Sequence, residues 1–391
     1  MFRKGILAAI AFTIFSIPFA VLEIQAQVST TFIAGLRSPQ KIIYAQQQRY
    51  FLVSESGIPG LPNSGRISII TNDGDRFTLI DGLPSGAAAP EGHPSGPSAM
   101  WMQGTNLYIA ISGGNTTLVG LLPGSEIPNP NPSPPIFSSV LEFRFPAQGF
   151  RINRADYDLT SADHLRLANG ETVVLGRFGF QRARIRMIAN FPDVTPAPRP
   201  GFPNLVKNSN PFGLALNANT LYVTDAAQNN IRTIDLEDGA IGTLITYPSR
   251  PNLPGPPPFV DPVPDSLRLF GNKLLMTFLT GFPFTPGAAD VRQYDLDSGT
   301  DSQLIGGLTT AIDVLPVDEG GFSTSFYTLE ISTNLSVGAP GRLRRFDSPG
   351  GQPTLISNTL ISPTSLARHP QSGDLLVTEI FPGLITRISN P

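Results

Sequence analysis

The stretch Asn210–Leu236, NPFGLALNANTLYVTDAAQNNIRTIDL, contains the pattern that decides the fold. An anchor, Pro211-Phe212-Gly213, leads into an apolar run and an Asn-Ala-Asn turn. The strand Leu221–Asp225 follows, and after a polar turn comes the alternating strand Ile231–Leu236. Short alternating strands that are separated by Asn, Gly and Asp turns are typical of antiparallel sheet. The stretch therefore predicts a small antiparallel sheet.

The same unit recurs along the chain. Its anchors lie at Pro39, Ser98, Pro211, Pro264, Ala311 and Pro363, with spacings of 59, 113, 53, 47 and 52 residues. A repeat of about fifty residues with four strands is typical of a β-propeller blade. The last unit ends one strand short, and the lone N-terminal strand Ser29–Leu36 would complete it and leave no open sheet edge. The sequence predicts an all-β fold, a six-bladed β-propeller closed by the N-terminal strand.

The spacing of 113 residues is compatible with either six or seven blades. Either the second blade carries an insertion, Pro146–Ala183, or the interval holds two blades, one of them degenerate. We favour the insertion because Arg184–Phe191 leads directly into the next anchor, as a fourth strand should. Within the insertion, His164–Ala168 and Thr172–Phe178 are predicted to form a hairpin. We therefore expect a single domain over residues 27–391, with 146–183 inserted in its second blade.

Residues 1–26 have the pattern of a secretory signal peptide. Arg3-Lys4 precede the apolar stretch Gly5–Leu22, and a region of small residues follows. The alternative is an uncleaved membrane anchor, which we disfavour because Pro18 and Glu23 interrupt the end of the stretch. We expect the mature chain in the periplasm or outside the cell, without a stable membrane span.

Composition excludes several classes of function. The chain has no cysteine, which rules out thiolate metal sites, disulfides and a cysteine nucleophile. Its three histidines leave little room for histidine-based metal chemistry. Its net charge of −3 gives no basic excess for a nucleic-acid partner. G-x-S-x-G, H-E-x-x-H, P-loop and dinucleotide motifs are missing, which disfavours the common hydrolases and nucleotide enzymes. We expect a monomer.

The long loops are predicted to lie on one face. Because blade strands alternate in direction, the second-to-third loops and the blade-entry loops emerge at the same end of each sheet. The long, Pro-rich loops all belong to these two classes: Gly57–Gly65, Asp81–Gly96, Gly113–Pro135, Pro192–Asn210, Tyr247–Pro264, Thr280–Ala288 and Ser332–Gly341. Binding groups collect on loops that a rigid scaffold positions. We therefore expect this long-loop face to bind the ligand or partner.

Four predicted second strands end in an acid at matching positions: Glu55, Asp225, Glu330 and Glu379. Pointed at the central funnel, these carboxylates would bind a ligand or hold Ca²⁺ through oxygen ligands. Turned aside, each would cap local backbone N–H groups or pair with an arginine at the start of the next strand, such as Arg66, Arg232 or Arg342. We favour the local interpretation and expect no cofactor, with Ca²⁺ as the alternative.

Loop histidine and aromatic residues supply further ligand-binding candidates. His93, in a blade-entry loop, would serve as a general base or a binding contact, or would be an ordinary exposed histidine. Phenylalanines beside proline project on the same face: Phe202, Phe259, Phe282 and Phe284. They would either line an apolar pocket or pack the loops onto the blade ends.

The chain resembles the ScyD/ScyE family of exported cyanobacterial proteins, which takes its name from the gene cluster for the pigment scytonemin. The resemblance spans nearly all of the mature chain. It rests on the segments Gly35-Leu36 with Ser38-Pro39, Gly96-Pro97-Ser98, Ser209–Gly213 with Leu221–Asp225, Leu279–Phe284 with Pro286–Ala289, Leu329-Glu330-Ile331 with Gly338–Arg342, and Ser362-Pro363-Thr364. The resemblance implies an exported NHL-like propeller and supplies no catalytic residue.

We therefore expect a non-catalytic protein that binds a small organic ligand or a protein partner on its long-loop face. The resemblance adds a link to scytonemin-type secondary metabolism. The alternative is a metal-dependent lactonase or hydrolase, with Glu55, Glu330 and Glu379 on Ca²⁺ and His93 nearby.

Overall fold

The computed structural model describes residues 27–89, 92–122, 124–146, 157–176, 182–252, 257–320, 323–389 and 391. The predicted signal peptide, residues 1–26, lies outside this part of the chain. The regular secondary structure of the described residues is almost entirely β-strand, with strands that we number β1 to β34 in chain order and a single α-helix. None of their helices is long and apolar enough to cross a membrane.

Six sheets contain most of the strands, and four sequential antiparallel strands form the body of each of the first five. Sheet 1 contains β2 (Pro39–Ala45), β3 (Tyr50–Glu55), β4 (Gly65–Ile70) and β5 (Arg76–Leu83). Sheet 2 contains β8 (Pro97–Gln103), β9 (Asn106–Ile111), β12 (Ser139–Arg144) and β15 (Ala183–Asn190). Sheet 3 contains β18 (Pro211–Asn217), β19 (Thr220–Asp225), β20 (Asn230–Asp235) and β21 (Ile241–Thr246).

The remaining three sheets follow the same plan. Sheet 4 contains β24 (Pro264–Phe270), β25 (Lys273–Phe278), β26 (Ala289–Asp295) and β27 (Asp301–Leu308). Sheet 5 contains β28 (Ala311–Asp318), β29 (Thr324–Glu330), β30 (Gly341–Phe346) and β31 (Thr354–Leu360). Sheet 6 contains β32 (Pro363–Arg368), β33 (Leu375–Glu379), β34 (Leu384–Ser389) and the N-terminal β1 (Val28–Ala34). In sheet 6, β1 pairs antiparallel with β34, with Val28 opposite Ser389.

The first strands of the six sheets contact one another in the order β2, β8, β18, β24, β28 and β32, and β32 contacts β2. Their starting ends lie together, since the Ser98 hydroxyl donates to Pro211 O at 2.7 Å and the Thr364 hydroxyl to Pro39 O at 3.0 Å. The six first strands thus contact one another in cyclic order, and we call the line between them the axis. Five of the six predicted anchors begin these strands, and the sixth, Ser98, is the second residue of β8.

Hydroxyl groups on second strands connect neighbouring sheets. Thr224 Oγ1 accepts from Gly213 N at 2.6 Å and donates to Asp265 O at 2.5 Å. In sheet 1, Ser54 Oγ accepts from Lys41 N at 3.0 Å and donates to Ser98 O in sheet 2. Both accepting contacts lie at the bulge after the anchor, where the ladder register shifts. The hydroxyls satisfy backbone groups that the bulges remove from the ladder.

The hydrophobic core lies between the sheets. Six clusters of buried side chains each join two neighbouring sheets, including the pair formed by sheets 6 and 1. In that last cluster, Ile42 and Phe51 of sheet 1 pack with Leu376 and Ile385 of sheet 6. Both faces of each sheet are therefore buried, which explains why the central strands have few polar positions.

The long loops form small sheets of their own, which the sequence did not predict. β6 (Gly86–Ala88) pairs with β7 (His93–Ser95), and β22 (Arg250–Pro251) pairs with β23 (Phe259–Val260). A four-stranded sheet has the order β10 (Thr117–Val119), β11 (Glu126–Pro128), β17 (Val206–Asn208) and β16 (Val194–Pro196). A short 3-10 helix covers Leu335–Val337. Ladder hydrogen bonds therefore order the Pro-rich loops.

The prediction of a hairpin at 164–178 is wrong. Its first half belongs to helix α1 (Ser161–Ala168), which Thr160 caps through a reciprocal pair of hydrogen bonds with Asp163. Its second half contains β14 (Val173–Leu175), which adds to β15 of sheet 2, while β13 (Tyr157–Asp158) pairs in parallel with β5 of sheet 1. The described part of 146–183 therefore pairs with both sheet 1 and sheet 2. In the sequence, it lies between β12 and β15 of sheet 2.

Candidate functional site

The register of the ladders places the long loops at one end of the sheets. In sheet 1, Pro39 lies opposite Glu55 and Glu55 lies opposite Arg66. The second-to-third loop therefore leaves from the end at which the first strand begins. The same register holds in sheets 3, 5 and 6. We keep the name long-loop face for this end.

Exposed apolar side chains concentrate on the long-loop face. Sixteen large hydrophobic residues are exposed in the described part of the chain. Ten of them belong to its loops: Ile58, Leu61, Leu118, Val119, Leu121, Phe259, Phe282, Val337, Ile361 and Phe381. Large exposed apolar patches commonly mark interaction sites. The loop classes that were predicted to bind are therefore also the apolar ones.

The predicted aromatic candidates differ in exposure. Phe282 is 65% exposed, and its ring lies 6.2 Å from that of Phe284 in an edge-to-face arrangement. Phe259 is exposed, whereas Phe202 and Phe284 are half-buried. The structure thus brings Phe282 and Phe284 together and leaves most of Phe282 exposed to solvent. His93 is exposed at the start of β7, where it lies opposite Ala88.

The recurrent acid of sheet 1 is bound within its own sheet. Glu55 accepts from Arg66 Nε at 3.0 Å and from Arg66 Nη2 at 2.6 Å. It also accepts from the Ser68 hydroxyl and from Arg37 N. These are the partners that the local interpretation predicts, an arginine at the start of the next strand and a backbone N–H group.

The acids of sheets 3 and 5 likewise pair with a backbone N–H group and an arginine, and the acid of sheet 6 has a hydroxyl in place of the arginine. Asp225 accepts from Asn210 N at 2.8 Å and from Arg232 Nη2 at 3.3 Å, and burial raises the pKa of this carboxyl. Glu330 accepts from Thr309 N at 2.7 Å and from Arg342 Nε at 2.6 Å. Glu379 accepts from Ile361 N and from the Thr386 hydroxyl. These local contacts occupy the carboxylates, so we leave them out of the site proposed below.

The calcium hypothesis needed Glu55, Glu330 and Glu379 to act together. In the described part of the chain, no group of three or more His, Asp or Glu side chains is arranged to hold a metal ion. The three acids belong to sheets 1, 5 and 6, and each has the separate partners given above. The structure therefore does not bring these three carboxylates together.

A polar cluster at the axis was missed by the sequence analysis. We call it the axial cluster; its members come from four sheets and are Lys41, Ser266, Arg268, Asp313 and Ser365. Lys41 Nζ lies 2.9 Å from Ser266 Oγ and 3.1 Å from Asp313 Oδ2. Arg268 binds the same carboxylate in a bidentate manner, with Nε 3.0 Å from Oδ1 and Nη2 2.6 Å from Oδ2. Lys41 thus connects sheet 1 with sheets 4 and 5.

Asp313 is the hub of the axial cluster. It also accepts from Ser266 Oγ at 2.6 Å, Ser365 Oγ at 2.8 Å and Leu366 N at 2.9 Å. Two cations and several donors surround this fully buried carboxyl, and they hold its pKa far below the ordinary value. Burial lowers the pKa of Lys41 from 10.5 to about 8, against the opposing attraction of Asp313.

A weak signal for the axial cluster was present in the repeat. The position two residues after the start of each first strand carries Lys41, Ala99, Gly213, Ser266, Asp313 and Ser365. Four of these six are polar in strands that are otherwise mostly apolar. Aligning the repeats would have raised these positions as candidates, but only the fold shows that they meet.

No family model matches the chain, and no curated protein sequence matches it significantly. Its structure is similar to that of an auxiliary nutrient binding protein from Bacteroides thetaiotaomicron, with a TM-score of 0.53 and 9% identity. That similarity covers 93% of this chain and 76% of the other. The counterpart from Bacteroides ovatus has a TM-score of 0.47, 9% identity and the same coverages. A streptogramin B lyase has a TM-score of 0.43 and 11% identity, over 93% of this chain and 97% of the other. At such identities only the fold is comparable, and that fold is propeller-like.

Proposed function

We propose that the protein is an exported, non-catalytic binding protein that engages a protein partner through its long-loop face. As part of this proposal, the six sheets are the blades of a β-propeller that the N-terminal strand closes. The cyclic contacts of the first strands, the six inter-sheet clusters and the pairing of β1 with β34 support this architecture. The signal-like residues 1–26 and the resemblance to exported ScyD/ScyE proteins support export.

One observation carries the proposal: of the sixteen large apolar residues that are exposed in the described ranges, ten lie on loops at one end of the sheets. The protrusion of these side chains favours a protein partner over a small molecule. Leu121 is 89% exposed and Val337 is 74% exposed, so these side chains stand on the surface. Small-molecule sites are concave and enclose most of their ligand, whereas protruding apolar anchors insert into pockets of a partner protein.

Site-specific photo-cross-linking tests the proposal. A photoreactive phenylalanine analogue replaces Phe282 in the full chain, expressed in the cell that naturally produces it. We expect one discrete adduct with a partner protein, because Phe282 projects from the apolar surface. Combining the probe with Val337→Ser and Phe381→Ser should reduce the adduct at least several-fold, since apolar contact area on the same long-loop face is lost.

The matched control carries the same analogue at Ile241. This residue is also exposed but begins β21, away from the long loops. It should give no such adduct. Equal labelling at both positions, or no adduct at Phe282 in a chain that unfolds normally, would overturn the proposal. Apolar dye or ligand binding without a protein adduct would favour the small organic ligand instead.

A further inference from the structure

The axial cluster contains more positive than negative charge. In the described part of the chain, Asp313 is the one carboxylate that forms an ion pair with Lys41 or Arg268. Two cations therefore share one anion, which leaves an excess of one positive charge. Burial raises the pKa of the neighbouring Asp265 well above its ordinary value, which disfavours a second negative charge here.

Solvent reaches the cations but not the anion. The side chains of Lys41 and Arg268 are 10% and 18% exposed, whereas that of Asp313 is 0% exposed. The solvent-accessible surface of the cluster therefore belongs to its cationic side chains and not to its carboxylate. An anion that approached the cluster would meet these side chains first, in surroundings where burial strengthens electrostatic attraction.

Unused hydrogen-bond donors remain on both cations. Lys41 has three N–H donors, of which Ser266 and Asp313 occupy two. Arg268 uses Nε and Nη2 on Asp313 and Leu366 O, and no hydrogen bond joins its Nη1 to another described residue. Asp313 has no such spare capacity, because seven hydrogen bonds converge on its two oxygens.

We propose that Lys41 and Arg268 form a binding site for a small organic monocarboxylate at the axis of the six sheets. A carboxylate has one negative charge, which matches the excess, and two oxygens for the spare Lys41 and Arg268 donors. A phosphate or sulfate would bring two charges and leave one uncompensated in a buried site. This inference does not depend on the long-loop face.

Ligand-dependent thermal unfolding of the chain from residue 27 tests the site. The probes are sodium benzoate and sodium acetate, with sodium chloride and sodium sulfate at matched ionic strength. We expect a saturable rise in Tm with at least one carboxylate, because a ligand that binds only the folded state stabilises it. Lys41→Met should abolish this rise, and Lys41→Arg should retain part of it.

The matched control is Arg342→Gln, which also breaks a partly exposed arginine–carboxylate pair but lies outside the axial cluster. Arg342→Gln should lower the basal Tm and keep the carboxylate response. Phe282→Ser, on the long-loop face, should also keep the carboxylate response. A carboxylate effect no larger than that of chloride would overturn the site. So would an equal response in Lys41→Met, or an equally strong response to sulfate that depends on Lys41.

Discussion

Asp265 and Asp313 lie on neighbouring first strands and are both buried, yet their surroundings have opposite effects on ionisation. Asp313 accepts hydrogen bonds from two cations, which lower its pKa. Its contribution to the free energy of unfolding is therefore present above the unfolded-state pKa near 3.8 and is lost in acid. Burial raises the pKa of Asp265, and one of its carboxylate oxygens has no hydrogen-bond partner. Its effect has the reverse sign: stability falls as pH rises from about 3.8 through the folded-state pKa.

At the residue scale, we predict that Asp265→Asn and Asp313→Asn change stability in opposite directions at pH 7. Asp265→Asn should stabilise by about 1–3 kcal/mol because an amide needs no ionisation in a buried site. Asp313→Asn should destabilise by about 3–5 kcal/mol because it leaves Lys41 and Arg268 uncompensated. Urea unfolding at pH 7 and at pH 3.5 measures both effects. The gain of Asp265→Asn should nearly vanish at pH 3.5, and an equal gain at both pH values would contradict the assignment.

The same scale shows what sequence alone could predict about the site. The pairing of Glu55 with Arg66 was predictable because the two residues are 11 apart and lie in one repeat. The axial cluster was not predictable, since Lys41 is separated from Ser266 by 225 residues and from Asp313 by 272. Such contacts depend on how all six sheets are arranged, and a repeat pattern does not specify which side chains face the axis.

At the element scale, strands were easier to predict than loops. The strand pattern around Asn210–Leu236 is strong because both sheet faces are buried and each turn has Asn, Gly or Asp. The insertion was predicted incorrectly because His164 and its neighbours were assigned to a strand, although Thr160 and Asp163 have the spacing of a helix cap. An eight-residue helix offers only two turns of periodicity, which is too little to decide between helix and strand.

Docking of the insertion on sheet 1 gives an element-scale prediction. His164 Nε2 lies 2.8 Å from Gly82 O, and Gly82 has φ +76°. A Cβ atom at Gly82 would lie 2.1 Å from Leu159 O, which the backbone cannot accommodate without moving. We expect Gly82→Ala to destabilise the protein by about 2–4 kcal/mol and to speed proteolytic cleavage within 147–182.

Gly239→Ala is the control for that experiment. Gly239 has φ +78°, and its added Cβ would meet nothing within 4 Å. It should therefore show only the backbone strain of a left-handed alanine, about 1 kcal/mol. Cleavage that is equally fast in both variants would mean that the contact with Leu159 does not hold the insertion.

At the scale of the whole molecule, the proposed closure depends on β1. This strand pairs with β34 along Val28–Ala34, and Ile33 and Phe32 pack beside the cluster that joins sheets 1 and 6. We predict that a chain starting at residue 36 has a Tm lower by at least several degrees than one starting at residue 27. The reason is that removing β1 exposes an unpaired edge on β34.

A synthetic peptide of residues 27–35, added to the shortened chain, should restore part of the lost stability in a concentration-dependent way. A scrambled peptide of the same composition is its control. An unchanged Tm after truncation would show that the six sheets do not need β1, and would count against strand-mediated closure.

The pairing of Val28 with Ser389 has a consequence for how the protein is made. Of the strands described, the first to be synthesised is the one whose partner is synthesised last, so β1 remains unpaired until β34 has been made. During that interval the nascent chain carries a free strand edge at each growing stage, which favours contact with other chains at high expression. Val28 and Ser389 are then neighbours, and a short peptide linker could join the chain on either side of them. Opening the chain at a surface loop between two sheets would create a permuted protein in which sheet 6 is synthesised without interruption.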